Sequence, residues 1–129
     1  MSAADHSLHR VFVYGTLRRG GSNHFRMAGG RFVTGGSVQG RLYRIDWYPG
    51  LVLVPGGGSV IGEVFDVTDD QLRELDVFEG LSAGETEGSE YRRVLTDVMD
   101  DGKTTHAWVW EWLGPVDETR LIASGDWLE

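Results

Sequence analysis

Two parts of this 129-residue chain carry groups able to act on a bound carbonyl or carboxylate. The first is Val11 to Gly20, reading VFVYGTLRRG. Val11, Phe12 and Val13 suit a buried strand, and Gly15 lets the backbone turn while another group approaches closely. A turn of this kind presents main-chain N–H groups, and those of Gly15, Thr16 and Leu17 can converge on an oxygen as an anion cradle. The alternative is an ordinary strand-to-loop turn. The second part is Glu79, which lies four residues after Leu75 and seven after Leu72 and so falls on the core side of a helix. Burial and the negative end of the helix would both raise its pKa toward the range where a carboxylate exchanges protons near neutral pH. In the alternative the helix frays at Phe78 and Glu79 swings into water.

Other chemistries find no support. There is no G-x-S-x-G elbow, no H-E-x-x-H and no Walker loop, and the four histidines lack metal-ligand spacing. Cysteine is absent, which excludes thiol nucleophiles, disulfide frameworks and cysteine zinc sites. Neither a cofactor nor a metal is expected. Glu63, inside a strand, is a secondary candidate, and His24 reads as a packing or surface residue. Arg18 and Arg19 read as rim or surface residues, and Arg93 as a buried partner of a carboxylate.

These groups need elements to position them. Glycine, at 19 of 129 residues, is about twice as frequent as usual and indicates many turns between short strands. Strand patterns run from Arg31 to Trp47, interrupted by Gly35, Gly36 and Gly40 as bends, then from Val60 to Val67, Tyr91 to Val98 and Thr104 to Leu113. Tyr48, Pro49 and Gly50 predict a turn with positive φ at Gly50, and Asp100 to Gly102 predict a hairpin. Thr68 and Gln71 form a capping box that opens a helix whose apolar face is Leu72, Leu75 and Phe78, with Gly80 as its stop. A helical turn is expected between Asn23 and Ala28, and another around Thr119 to Ala123. Leu81 to Glu90 reads as a loop, either lid or spacer. Trp108, Trp110 and Trp112 share one face of their strand and read as core.

Length and composition fit one domain at residues 10–129, preceded by a flexible terminus at 1–9. The net charge of −8 conceals an asymmetry: Met1 to Trp47 holds seven arginines and two acids, and Tyr48 to Glu129 holds five basic and eighteen acidic residues. An acidic surface disfavours nucleic acid, and the basic N-terminal part suits a small anionic or zwitterionic ligand. No run reaches membrane-spanning length and no secretion signal is evident, so a soluble cytoplasmic protein without a membrane partner is expected. The oligomeric state is not legible.

Several segments taken together are recognisable: VFVYGTLRRG, Asn23-His24, the LY and YPG pieces of Leu42 to Gly50, GEVF at Gly62 to Phe65, LDVFEG at Leu75 to Gly80, EYRR at Glu90 to Arg93, and SGDWL at Ser124 to Leu128. In this order the chain resembles the γ-glutamylcyclotransferase-like (AIG2-like) family from about Arg10 to Leu128. Its small bacterial members and the γ-glutamylamine cyclotransferases are the most similar branches. The resemblance implies an α+β fold, a small and mostly antiparallel β-barrel with a few short helices, and a cavity beside the Tyr-Gly-Thr-Leu loop. It implies that the main chain of Tyr14, Gly15, Thr16 and Leu17 holds a γ-glutamyl group, with Glu79 as acid/base. The family serine is replaced by Thr16, which keeps the hydroxyl and adds a methyl. Tyr91 and Arg93 are expected to line or support the cavity.

The chemistry so implied needs no cofactor: the α-amine of a γ-glutamyl amide attacks its own γ-carbonyl, closing 5-oxoproline and expelling the amine. The competing expectation is a non-catalytic small-ligand-binding or regulatory protein that retains the cavity.

Overall fold

The computed structural model describes residues 8–82 and 84–129. Six strands, β1 (Leu8–Val13), β2 (Arg31–Arg44), β3 (Pro49–Leu53), β4 (Ser59–Thr68), β5 (Tyr91–Asp100) and β6 (Lys103–Trp112), accompany one helix, α1 (Asp69–Phe78). Single 3-10 turns occupy His24–Met27 and Glu118–Arg120. The strand order is β3-β2-β4-β1-β6-β5, and a pairing of Ser37 with Met99 joins β2 to β5. Five strands therefore close into a mixed barrel, with β1 parallel to β6 and the other pairings antiparallel, and β3 is appended to β2. This is the α+β barrel that the sequence predicts.

Period-two alternation sorts the strand residues into two cores. Phe12, Val38, Leu42, Leu51, Val60, Val64, Val98, Ala107 and Val109, drawn from all six strands, fill the barrel. Their neighbours Val11, Val13, Phe65, Val67, Trp110 and Trp112 face outward and are covered by Leu72 and Leu75 of α1. Trp110 and Trp112 are buried, so the tryptophan stripe belongs to this outer core. No helix among the described residues is long and apolar enough to cross a membrane.

Most element expectations match, with instructive departures. Residues 1–7 of the expected flexible terminus lie outside the described residues, whereas Leu8 and His9 already pair with Thr68 and Val67. Thr68 accepts the Gln71 N–H at 3.2 Å, but the Gln71 side chain does not reach back. It donates instead to the carbonyls of Ala28 (3.1 Å) and Arg26 (3.4 Å), tying α1 to the segment after β1. The hairpin turn falls at Asp101 and Gly102, both at positive φ, one residue inside the predicted span.

The predicted turn at Tyr48 to Gly50 is displaced. The reversal occupies residues 45–48, where the N–H groups of Ile45 and Asp46 both reach the Tyr48 carbonyl at 3.1 Å. Pro49 and Gly50 open β3, and Pro49, which has no N–H, is tolerated there because it begins a strand appended at the edge. Gly50 is not at positive φ; it is small because β3 crosses Trp112, and a Cβ would lie 2.8 Å from both Cβ and Cγ of that residue. Gly50→Ala should therefore cost about 1–3 kcal/mol by overpacking. Urea unfolding should show a lower midpoint at unchanged slope.

Candidate active site

The loop after β1 is assembled from its own backbone. The Gly15 carbonyl accepts Arg18 N–H at 3.1 Å, and the Thr16 carbonyl accepts Asn23 N–H at 2.8 Å. The Leu17 carbonyl lies 2.9 Å from His24 Nδ1, which must carry the proton to donate. Asn23 also donates through Nδ2 to Thr16 Oγ1 at 3.2 Å. All three carbonyls are thus consumed within the loop. Among the described residues, no protein group accepts the N–H groups of Gly15, Thr16 or Leu17. Gly15 is required where the loop passes β3, since a Cβ would lie 2.6 Å from Pro49 Cγ.

Arg18, expected at the rim, anchors this loop instead, while the Arg19 side chain is exposed as expected. Arg18 is buried, donating from Nη1 to Asp126 at 2.7 Å with Nε 3.5 Å from Glu63. Glu63, also buried, accepts Arg19 N–H at 2.9 Å, so its carboxylate closes the loop from β4 and does not point to solvent. The segment Ser124 to Leu128 is thereby joined to the loop through Asp126.

Glu79 is placed by the end of α1. Gly80, at φ +87°, donates its N–H to Val77, and Leu81 donates to Asp76 at 2.8 Å. These are the paired hydrogen bonds of a Schellman motif, which closes the helix and prevents the fraying alternative. Glu79 is the C-cap residue and is half-buried. Its carboxylate has no hydrogen-bond or ion-pair partner among the described residues. Burial first, then the charges of Glu90 and Asp76, push its pKa up to about 8. Asp76, one helical turn earlier, is buried and neutralised: it accepts Arg93 Nε at 2.8 Å and Trp110 Nε1 at 2.9 Å.

A cavity of about 230 Å³ opens between these parts. Phe12 to Leu17 form one side, Trp47, Tyr48 and Pro49 another, and Phe78 to Gly80 with Glu90, Tyr91 and Trp110 complete it. It therefore brings together Tyr14, Gly15, Thr16, Leu17, Glu79 and Tyr91. Arg93 is outside the lining; its guanidinium is spent on Asp76 and stacks 4.5 Å from the Trp108 ring centroid, so it acts on the cavity only through Asp76.

The tyrosine hydroxyls are also engaged. Tyr14 donates to the Trp110 carbonyl at 2.7 Å and accepts Leu51 N–H at 3.3 Å, and Tyr91 donates to the Pro49 carbonyl at 2.7 Å. Burial, followed by nearby negative charge that includes Glu79, raises both phenols above their ordinary range, which keeps them protonated. They offer ring faces to the cavity and hold β3 with their oxygens.

Sequence reasoning missed Asp76, Asn23, Trp47, Tyr48 and Glu90 as contributors. Asp76 was detectable, since it sits three residues before Glu79 on a helix and four after Leu72. The others come from loops, where periodicity offers no signal. Much of the basic charge of the N-terminal part is spent internally: Arg10 and Arg31 pair with Asp66, and Arg18 and Arg19 with Glu63.

With this geometry in view, comparison with known proteins is decisive on kinship. The family model described as Gamma-glutamyl cyclotransferase, AIG2-like matches residues 11–129. The chain belongs to this family. The gamma-glutamylcyclotransferase family protein YtfP of Escherichia coli (strain K12) is 37% identical over 121 residues, 93% of this chain and 96% of that protein. Among solved structures, an AIG2-like protein from Mus musculus superposes with a TM-score of 0.72 at 28% identity, covering 88% of this chain and 82% of the other. A Pyrococcus horikoshii protein does so with a TM-score of 0.70 at 28% identity, covering 92% and 89%. The names carried by this family support a gamma-glutamylcyclotransferase-like activity.

The raised Glu79 pKa has a consequence for stability. The folded state keeps a proton up to about pH 8 that the unfolded chain sheds near 4.5, so the fold loses stability as pH rises through that window. Glu79→Gln should leave Tm nearly unchanged at pH 4 and raise it by a few degrees at pH 9, about 4 °C for each kcal/mol relieved. Calorimetric scans at the two pH values test this, and a Tm gain independent of pH would contradict it.

Proposed function

We propose that this protein is a γ-glutamylcyclotransferase that releases 5-oxoproline from a γ-glutamyl amine or amide, with Glu79 as general acid/base. The observation that carries the reading is a cavity lined both by the Glu79 carboxylate and by Gly15, Thr16 and Leu17, where neither that carboxylate nor those three N–H groups have a protein partner among the described residues. The substrate's α-amine is already tethered to the carbonyl it attacks, so the protein has chiefly to fold the chain over and manage protons.

The steps follow from these groups. Glu79 as carboxylate takes a proton from the α-ammonium, and the freed amine adds to the γ-carbonyl carbon, forming the new C–N bond. The carbonyl oxygen becomes an oxyanion, which the N–H groups of Gly15, Thr16 and Leu17 stabilise. Glu79 hands its proton to the leaving nitrogen and, a carboxylate again, takes the second proton from the attacking nitrogen as the old C–N bond breaks and 5-oxoproline is left as the lactam. It passes that second proton to the departing amine, which leaves as an ammonium. Glu79 ends as it began. A pKa near neutrality suits this shuttle, because the group must both accept and return a proton in one cycle.

Glu79→Gln should reduce 5-oxoproline release by at least ~10³-fold, in line with loss of an essential acid/base, while the circular dichroism spectrum is preserved. Undiminished turnover would exclude the assignment. Ligand binding without 5-oxoproline from the unaltered protein would instead favour a binding protein that kept the cavity. The free-enzyme profile of kcat/KM should rise with pH along a limb well above the ordinary carboxylate value of 4.5 and approaching 8. In Glu90→Gln that limb should move down, since the Glu90 charge is the second largest cause of the shift. A limb that stays in place would show that Glu79 is not the titrating group.

A further inference from the structure

The mouth of the cavity has a chemistry of its own. Of the residues lining it, Trp47, Gly80 and Glu90 are exposed and Tyr48, Phe78 and Glu79 are half-buried, so Trp47, Tyr48 and Glu90 stand beside the end of α1 where the cavity meets solvent. The charged side chains of the lining are Glu79 and Glu90, and no lysine, arginine or histidine joins them. Glu90 is fixed at its backbone, where its carbonyl accepts Leu113 N–H at 2.7 Å immediately before β5. Its carboxylate accepts only the Tyr48 hydroxyl, at 3.4 Å, among the described residues. That contact orients the charge without neutralising it. The neighbouring arginines are committed elsewhere, Arg92 to Glu111 at 2.8 Å and Arg93 to Asp76 at 2.8 Å. Trp47 is 59% exposed and meets Tyr48 edge to face at 5.0 Å. Two aromatic rings beside an unpaired carboxylate form a surface that attracts an ammonium group and repels a carboxylate.

We infer that Trp47, Tyr48 and Glu90 select γ-glutamyl compounds whose leaving amine carries a second positive charge, and disfavour those whose leaving amine carries a carboxylate. The inference rests on the cyclotransferase reading, which it refines. In that reaction the α-ammonium must reach Glu79 and the γ-oxygen must reach the loop amides. The part of the substrate beyond the scissile nitrogen is then left to extend toward the mouth. A γ-linked α-amino acid would bring its carboxylate there against Glu90, whereas a diamine would bring an ammonium.

Three substrates of equal length test this: γ-glutamyl derivatives of 1,4-diaminobutane, pentylamine and 5-aminopentanoate, whose far ends are positive, neutral and negative. For the unaltered protein at low ionic strength, kcat/KM for 5-oxoproline release should favour the positive over the negative substrate by roughly three- to thirtyfold, with the neutral one between, and the preference should shrink with added salt. In Glu90→Gln the ratio of positive to negative should fall toward unity. The ratio is the proper reading, because removal of Glu90 also shifts the Glu79 proton equilibrium and that effect is common to all three substrates. An unchanged ratio in the variant, or a preference for the negative substrate, would overturn the inference. If none of the three yields 5-oxoproline, the cyclotransferase reading fails, and calorimetric Kd values decide the mouth separately. Tighter binding of the positive compound, lost in Glu90→Gln, supports the inference, and equal Kd values overturn it.

Discussion

The arrangement depends on keeping one carboxylate without a cation. Glu79 sits half-buried in a cavity that Phe78, Tyr91 and Trp110 also line, a setting in which an ionised group would ordinarily recruit an arginine. Several arginines are close by, yet four have another carboxylate and Arg26 stacks on the Phe78 ring at 4.2 Å while donating to Asn23. Arg93 goes to Asp76, Arg92 to Glu111, and Arg18 and Arg19 to Glu63. The Glu63 and Arg18 pair is itself buried, which is costly, and Asp126 and the Arg19 N–H satisfy it only in part, since Arg18 Nε has no hydrogen-bond partner. Asp76 has a double part. It occupies Arg93, and its own negative charge helps to raise the Glu79 pKa. A free guanidinium in the cavity would lower that pKa and hold Glu79 in a static ion pair.

The wall opposite Glu79 is held by an unusual division of labour. β3 is paired with β2 on one side, which leaves the N–H groups of its other edge to find partners away from a strand. Tyr14 Oη takes the Leu51 N–H and Glu111 takes the Leu53 N–H, at 3.3 and 2.9 Å. The Pro49 carbonyl receives the Tyr91 hydroxyl. The same two tyrosines that present rings to the cavity therefore fasten its wall. Their hydroxyls are spent on backbone, so β3, which carries Pro49 against Gly15, is rigidly set beside the amide loop.

Much of this was legible in the residues and some could not have been. Alternation in Val11 to Val13 and in Trp108 to Trp112, together with the Thr68 cap and the Gly80 stop, is local information, and the strands and helix formed where it pointed. Glu79 was legible because a helix converts spacing of three, four and seven into a face. Gly50 was misread because glycine before an apolar run is as consistent with a close crossing as with a turn, and only the position of Trp112 separates the two. Arg18 was misread for the same reason: its partners Glu63 and Asp126 lie far along the chain, and burial through a long-range ion pair leaves no periodic trace. Charge asymmetry between the two parts of the chain did carry information, though about internal pairing rather than about a ligand.

A cavity whose charged side chains are both carboxylates poses a physical question for the oxyanion of the proposed reaction. Main-chain amides answer it. N–H dipoles attract an oxygen anion at short range but bring no net charge, so they can stabilise it without lowering the Glu79 pKa as a cation would. The N–H groups of Gly15, Thr16 and Leu17 meet no acceptor among the described residues, which leaves those dipoles available. In the proposed reaction the backbone serves the oxyanion and a side-chain carboxylate the ammonium. Thr16 fits the same logic: its hydroxyl is consumed by Asn23, its side chain is buried, and its value to the site lies in the N–H that it carries.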